Sequence, residues 1–379
     1  MGDQKESVRN ESKSINRPAT GLRQCFSAVV GISVTLHHQL SNPKNLQLVK
    51  KFVLSTIALA CSISLVLAWG AWGHQHINRA AVFALPAQMR GFFYNHIDFI
   101  TEESVVPDLR KYALGDKFEF PRHFINLESY GSGNWDTLPK TMKDLKAKYD
   151  DKTLQGYGIL PWYIEEMQQK LTEAFKSGIK TEILFIAGDL GHYIADAHMP
   201  LHTAINHNGQ LTGQKGIHAF WEGQLPEMFG DQYNLWTGDA TYISDVPGQT
   251  WKMILSSHQL ADTLLSIDRE LSATFPKEKI YQLDENGNIK KNKFNDPVHS
   301  VEYSRKYHEL LGGMIELQMR KAIAQTANYW YTAWVDAGKP SLEGMDPESL
   351  TKKNQENLSR ELRLWRVGKL TDLKADREF

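Results

Sequence analysis

Cysteine is almost missing: the 379 residues contain two, Cys25 and Cys61. Everything after residue 61 therefore lacks both a disulfide framework and a thiolate metal site, and metal chemistry there must use nitrogen and oxygen donors. Charge of one sign is also missing. Lys and Arg number 43 against 44 Asp and Glu, a net charge of −1, which argues against a basic nucleic-acid binder or an acidic tail protein. No internal repeat or low-complexity tract occurs, which excludes solenoid and collagen-like classes. Long apolar runs are limited to one, too few for a multi-span membrane protein. What remains is an ordinary globular composition, 41% hydrophobic and 11% aromatic, enough to bury a large core.

The single apolar run is Phe52 to Ala68, preceded by Lys50 and Lys51 and followed by Trp69. A basic start, an apolar stretch and a small final residue predict a secretory signal peptide over residues 50–68, cut before Trp69. The alternative is an uncleaved signal anchor, since this run of 17 residues just reaches across a bilayer. The expected location is accordingly secreted or periplasmic, or membrane-tethered if the anchor stays. Residues 1–49 have no assignment and read as an over-long gene start. Residues 1–68 carry 8 Lys and Arg and 3 Asp and Glu, leaving residues 69–379 with 35 against 41, a net −6, and 12 of the 14 histidines.

Beyond Trp69 the pattern predicts an all-α, multi-helix bundle. Helical stripes run over Pro161 to Ser177, Thr181 to Met199, Ile217 to Leu225, Gln249 to Phe275 and Val298 to Ala337. The second is apolar on almost every side, as a central helix would be. Asn286-Gly287 between short alternating segments predicts a small hairpin inserted over Ile280 to Phe294. The main domain is expected over 69–340, with a charged peripheral tail over 341–379 that holds at most one surface helix.

His192 and Asp196 lie four apart, so they leave one face of that central helix a turn apart, and Asp189 shares the face. Titratable groups among Ile, Leu, Phe and Ala cost several kcal/mol, on the order of 2–7, unless paired or metal-bound. A metal is the economical explanation. Met199-Pro200-Leu201-His202 turns the chain and returns a second imidazole, and His218 and Glu222 repeat the four-residue spacing. Upstream, Asp108 and His123 supply another carboxylate and imidazole. His96, His258, His299 and His308 sit in polar surroundings and are expected to be solvated, while His76, His198 and His207 flank the motifs.

Taken in order, Trp69-Gly70-Ala71-Trp72-Gly73-His74, Pro107-Asp108, Arg122-His123-Phe124-Ile125, the run His192 to His202, and His218-Ala219-Phe220-Trp221-Glu222 resemble the successive metal motifs of one superfamily. It comprises the zinc-dependent phospholipases C and the single-strand-specific nucleases of the S1/P1 type. The resemblance extends from Trp69 to about Gly338 and implies an all-helical domain holding three Zn2+ ions. It implies that a first zinc takes Asp108, His123, His192 and one oxygen of Asp196. Asp196 would bridge to a second zinc, completed by His74 and by the terminal amine and carbonyl of Trp69. A third would take His202, His218 and Glu222. The cut before Trp69 would create the required free amine. A water activated between the first two ions would then attack phosphorus, with Asp196 orienting it and the third ion at the leaving oxygen. The family's nucleases hold the phosphate with an Arg three residues after the first Asp. Lys111 occupies that place here, with Arg110 beside it, and both are candidates for the clamp.

Features of the two branches are mixed. Glu222, His192-Tyr193 and the connection from Thr203 to His218 follow the phospholipases. The spacing from Trp69 to His74 follows the nucleases, and Phe124 stands where they stack a base. Trp72 and Leu109 replace residues of the phospholipase choline pocket, which argues against a choline cage. The expectation is a trinuclear zinc phosphodiesterase, phospholipase C-like by motif, with a single-strand-specific nuclease as the alternative, so that the substrate is phospholipid or single-stranded nucleic acid. A third reading is a non-catalytic metal-binding surface protein. No stable protein partner is implied.

Overall fold

The computed structural model describes residues 70–131, 137–292, 294–345, 352–371 and 373, all within one compact unit, Val66–Phe379. The expected signal segment and Trp69 lie outside the described residues. Helices dominate, in the order α1 Gly70–Ala84, α2 Ala87–Asn95, α3 Ile97–Glu103, α4 Val106–Tyr112, α5 Met142–Lys148, α6 Asp151–Tyr157, α7 Leu160–Ser177 and α8 Lys180–Ala197. A composite helix, α9, follows: Ile217–Ala219 and Leu225–Phe229 are α, and Phe220–Gln224 between them is π. The remainder are α10 Val246–Thr274, α11 Val301–Leu310, α12 Met314–Asp336 and α13 Lys352–Arg366.

Helix α8 is the hub and packs against α7, α12, α3 and α1. Its glycines make that closeness possible. A Cβ at Gly191 would stand 2.0 Å from Asn78 Oδ1, and one at Gly188 would stand 2.6 Å from Glu103 Cγ. With hydrogen there instead, α1 and α3 approach the α8 backbone, and Asn78 Nδ2 donates to the Gly188 carbonyl at 3.0 Å. On the opposite side the buried Trp330 of α12 donates to the Ala187 carbonyl at 2.9 Å and stacks on Phe93. Helix α7 opens with Pro161 in its first turn and closes at Gly178, whose φ of 67° is the left-handed cap that glycine takes without strain.

Three expectations are corrected. The helix expected over Val298 to Ala337 is two, α11 and α12, because Gly312 and Gly313 both adopt positive φ and break the winding. The tail does carry one helix, yet it is not peripheral. Trp365, Leu370 and Leu373 are buried, Tyr94 Oη donates to Glu361 at 2.7 Å, and Asn234 binds the backbone at Gly368 and Leu370. His299 is buried rather than solvated, stacked on Phe220 at 3.7 Å, and that burial pushes its pKa down to about 3. His258 and His308 are also held, by the Thr203 carbonyl and the Tyr233 hydroxyl.

The inserted segment forms a small three-armed antiparallel unit through the bridges Tyr281 to His299, Leu283 to Ile289 and Lys291 to Pro297. Asp284 caps its turn by accepting from the amides of Asn286 and Asn288. Among the described residues no helix is long and apolar enough to cross a membrane.

Candidate metal centre

Three groups of nitrogen and oxygen donors converge at the α1, α4, α8 and α9 interface: His74, His192 and Asp196; Asp108, His123 and His192; and His202, His218 and Glu222. Each element has a local reason to present its donor there. Helix α1 is drawn onto α8 at Gly191, and one turn before Asn78 the His74 ring stacks on His192 at 3.9 Å. Pro107 starts α4 and sets Asp108 in its first turn. Pro200 stops the α8 winding and opens the 3-10 turn Pro200–Thr203 that carries His202. In α9, Pro226 has no N–H to offer the Glu222 carbonyl four residues back, and the winding before it relaxes to π geometry at Glu222 itself.

Asp196 is the junction. Its two oxygens lie 3.0 Å from His123 Nδ1, 3.3 Å from His192 Nε2, 3.4 Å from His202 Nδ1 and 3.6 Å from His74 Nε2. His123 Nδ1 is also 3.6 Å from Asp108 Oδ1. Glu222 faces His218 Nε2 at 3.0 Å and His202 Nε2 at 3.5 Å.

Three imidazoles are locked by backbone. His192, His202 and His218 each donate from Nδ1 to a carbonyl, those of Ser104, His123 and His207, at 2.7, 2.7 and 2.8 Å. Each Nε2 is thereby turned toward the centre as a prospective donor, the arrangement that orients metal-binding histidines. His123 is the exception: its Nδ1 points inward and its Nε2 faces the buried Glu119 carboxylate at 3.5 Å. Glu119 also accepts from the Tyr193 hydroxyl and from Arg110 and Arg122. Burial alone would raise the Glu119 pKa, but these donors hold it well below the carboxylate range.

The donor set fits a cation. Both ring nitrogens of the buried His74, Asp196 Oδ1 and Glu222 Oε2 have no hydrogen-bond partner, and orphaned buried polar atoms are rare unless something else satisfies them. Burial, then the charge of His192, pushes His74 down to about 3, which keeps it neutral. For Asp196 and Glu222 burial opposes the charge, but neighbouring histidines outweigh it and hold both ionised. His192 and His218 are raised by those carboxylates against the effect of burial. Their protons occupy positions a metal would take, so loading releases protons.

A cavity of about 420 Å³ opens at His123 and at the third group, His202, His218 and Glu222. Lys111, Tyr112, Phe120, His123, Phe124, His202, His207, Lys215, His218, Glu222, Phe294 and Asp296 line it. Lys111 is the cation at the floor, 3.3 Å from Asp108, whose charge raises the ammonium pKa despite burial. Arg110 does not line the cavity; its guanidinium bonds Glu119 at 2.9 Å and Asp189 at 2.7 Å. Asp189 likewise faces Arg110, away from the donor groups. Phe124 stands on the wall, edge-on to Phe120. His198 is buried and turned to the Ile194 carbonyl, His76 stacks on Trp72, and His207 reaches the wall.

Sequence reasoning missed Glu119, although it sits four residues before His123, the same spacing that flagged His192 and Asp196. It also missed Tyr112, Phe294 and Asp296, which reach the cavity from a helix end and from the insertion and carry no local signal.

The buried Glu103 is paired with another acid, the half-buried Asp189. Burial and the Asp189 charge push Glu103 up to about 8. The folded chain thus keeps a proton that the unfolded chain releases near pH 4.5, so this stability is fully present below that pH and lost as pH rises through 8. With metal held saturating, urea unfolding of Glu103→Gln is expected to show a flatter stability profile between about pH 5 and 8 than the wild type. Superimposable profiles would exclude a shared proton at this pair.

No protein family model matches the chain, and no curated protein sequence does. Among solved structures, it is similar to the crystal structure of Clostridium perfringens alpha-toxin isolated from avian strain SWCP, at 16% identity and a TM-score of 0.42. The alignment covers 70% of this chain and 63% of the toxin chain.

Proposed function

We propose that the chain is an exported zinc-dependent phosphodiester hydrolase, phospholipase C-like in its choice of substrate. The observation that carries this is the junction at Asp196: one buried carboxylate within 3.6 Å of four imidazoles, beside a third donor group that lines one cavity together with His123. His74, Asp108, His123, His192 and Asp196 would hold two ions, with Asp196 shared and the terminus at Trp69 completing one. His202, His218 and Glu222 would hold the third. Bound zinc supplies Lewis acidity and makes water acidic near neutral pH.

The chain's own residues do the rest. Lys111 meets the phosphate at the floor, its charge secured by Asp108. The carbonyls of Ser104, His123 and His207 keep the imidazole nitrogens aimed, so no reorientation is needed during reaction. Phe120, Phe124, Tyr112 and Phe294 restrict water and leave room for an apolar or planar group beside the phosphate.

Phe124 favours a second reading, single-strand cleavage. The test is a screen of the zinc-loaded protein on a soluble chromogenic phosphodiester, dispersed phospholipid and single-stranded DNA, with and without chelator. Turnover of the chromogenic substrate and phospholipid, abolished by chelator and restored by zinc, is expected. Phe124→Ala should then leave the chromogenic rate nearly unchanged. If instead single-stranded DNA is cleaved and the variant loses about ten- to a hundredfold in nucleotide affinity, the nuclease reading replaces it. No chelator-sensitive turnover on any of the three would sink both.

A further inference from the structure

The four most exposed large apolar side chains among the described residues are Leu114 at 78%, Phe118 at 71%, Val367 at 68% and Leu211 at 66%. Three of them stand on two loops that border the cavity. Leu114 and Phe118 occupy the loop between Tyr112 and Phe120, both cavity-lining, and the cavity-lining Gln155 donates to the Lys117 carbonyl at 2.9 Å. Leu211 occupies the loop whose His207, Asn208 and Lys215 line the other side.

We propose that these two loops dock the cavity mouth on a phospholipid surface. Leu114, Phe118 and Leu211 enter the apolar layer, while Lys117 and Lys215 meet headgroup phosphates. The proposal rests on the hydrolase reading and assigns it a route to lipid. Charge and shape select the occupant. Lys117 sits between the two apolar residues of its loop, and the Lys215 side chain, though paired with Asp296 at 3.7 Å, is 65% exposed. Lysines at this level gain from anionic headgroups. Of the two acids of the first loop, Asp116 accepts from the Phe118 amide at 2.9 Å, and Glu119 is buried and bonded to Arg110 and Arg122. A protein partner would need a packed apolar patch, whereas Leu114 and Phe118 are set apart on their loop by Gly115, Asp116 and Lys117. A lipid layer accepts isolated apolar side chains. Single-stranded nucleic acid would stack on rings, and of the three protruding side chains only Phe118 offers one.

Flotation of the full zinc-loaded protein with phosphatidylcholine–phosphatidylglycerol vesicles tests this without relying on turnover. Wild type is expected to float, with binding weakened by salt, and each of Leu114→Ser, Phe118→Ser and Leu211→Ser to reduce the vesicle affinity by about tenfold. Hydrolysis of the soluble chromogenic phosphodiester should stay within about twofold of wild type, since none of the three lines the cavity. Failure of the wild type to float, or equal flotation of the variants, overturns the proposal. So does retention on single-stranded DNA that the Phe118 variant loses. Loss of chromogenic turnover in the wild type would instead strike the hydrolase reading, while flotation could still hold.

Discussion

Asp196→Asn is expected to reduce phosphodiester turnover by at least about a thousandfold and to lower metal content by more than one ion per chain. The amide keeps the shape of the carboxylate but not its charge, and it presents one oxygen where two are used. Four imidazoles converge on those oxygens, so one substitution unsettles two of the three donor groups together. Glu222→Gln is the comparison: Glu222 pairs with His202 and His218, and its loss should leave the Asp196 pair loaded. Elemental analysis beside single-turnover rates separates the two variants. Equal metal loss from both, or an Asp196→Asn protein that keeps full metal and rate, would refute the shared carboxylate.

A chain with residues left attached before Trp69 is expected to bind two metals instead of three and to lose about a hundredfold or more in rate. Two observations make the first turn of α1 sensitive to what precedes it. His74 has no hydrogen-bond partner on either ring nitrogen, and the α1 start is pressed against α9: a Cβ at Gly70 would stand 3.3 Å from Gly223 Cα and 3.8 Å from the Glu222 carbonyl. A free amine at Trp69 completes such a site, and an amide there does not, because its nitrogen has no lone pair to give. Intact-mass measurement of the exported protein should find Trp69 as the first residue. An uncut chain with three metals and full activity would remove Trp69 from the proposed ligands.

Part of the centre was legible from helical spacing, since His192 with Asp196 and His218 with Glu222 are each one turn apart and a proline marks the turn at His202, whereas His74 was reached only through the resemblance of motifs. What orients them was not legible. The groups that aim His192, His202 and His218 are the carbonyls of Ser104, His123 and His207, and a backbone carbonyl has no signature in the sequence. Arg110 and Lys111 were inseparable as neighbours, whereas the fold sends one to Glu119 and Asp189 and the other to the cavity. The all-helical class followed from periodicity. The break at Gly312-Gly313 did not, since a Gly pair inside a helical stripe can be tolerated or can end it, and backbone conformation decides. Trp365 looked isolated in a charged tail because its partners, Phe83 and Asp239, lie more than a hundred residues away.

The contact of Gly191 with Asn78 also bears on how the protein comes to exist at all. It joins segments 113 residues apart, and the centre beside it needs chain from His74 to Glu222 in place at once. No early-forming fragment of local helices contains it, and closing loops of that length precedes any reward from the contacts they make. Metal capture is therefore expected late in refolding, after α1 has docked on α8. Adding zinc to the refolding chain should leave the early helical phase untouched and accelerate nothing before that docking.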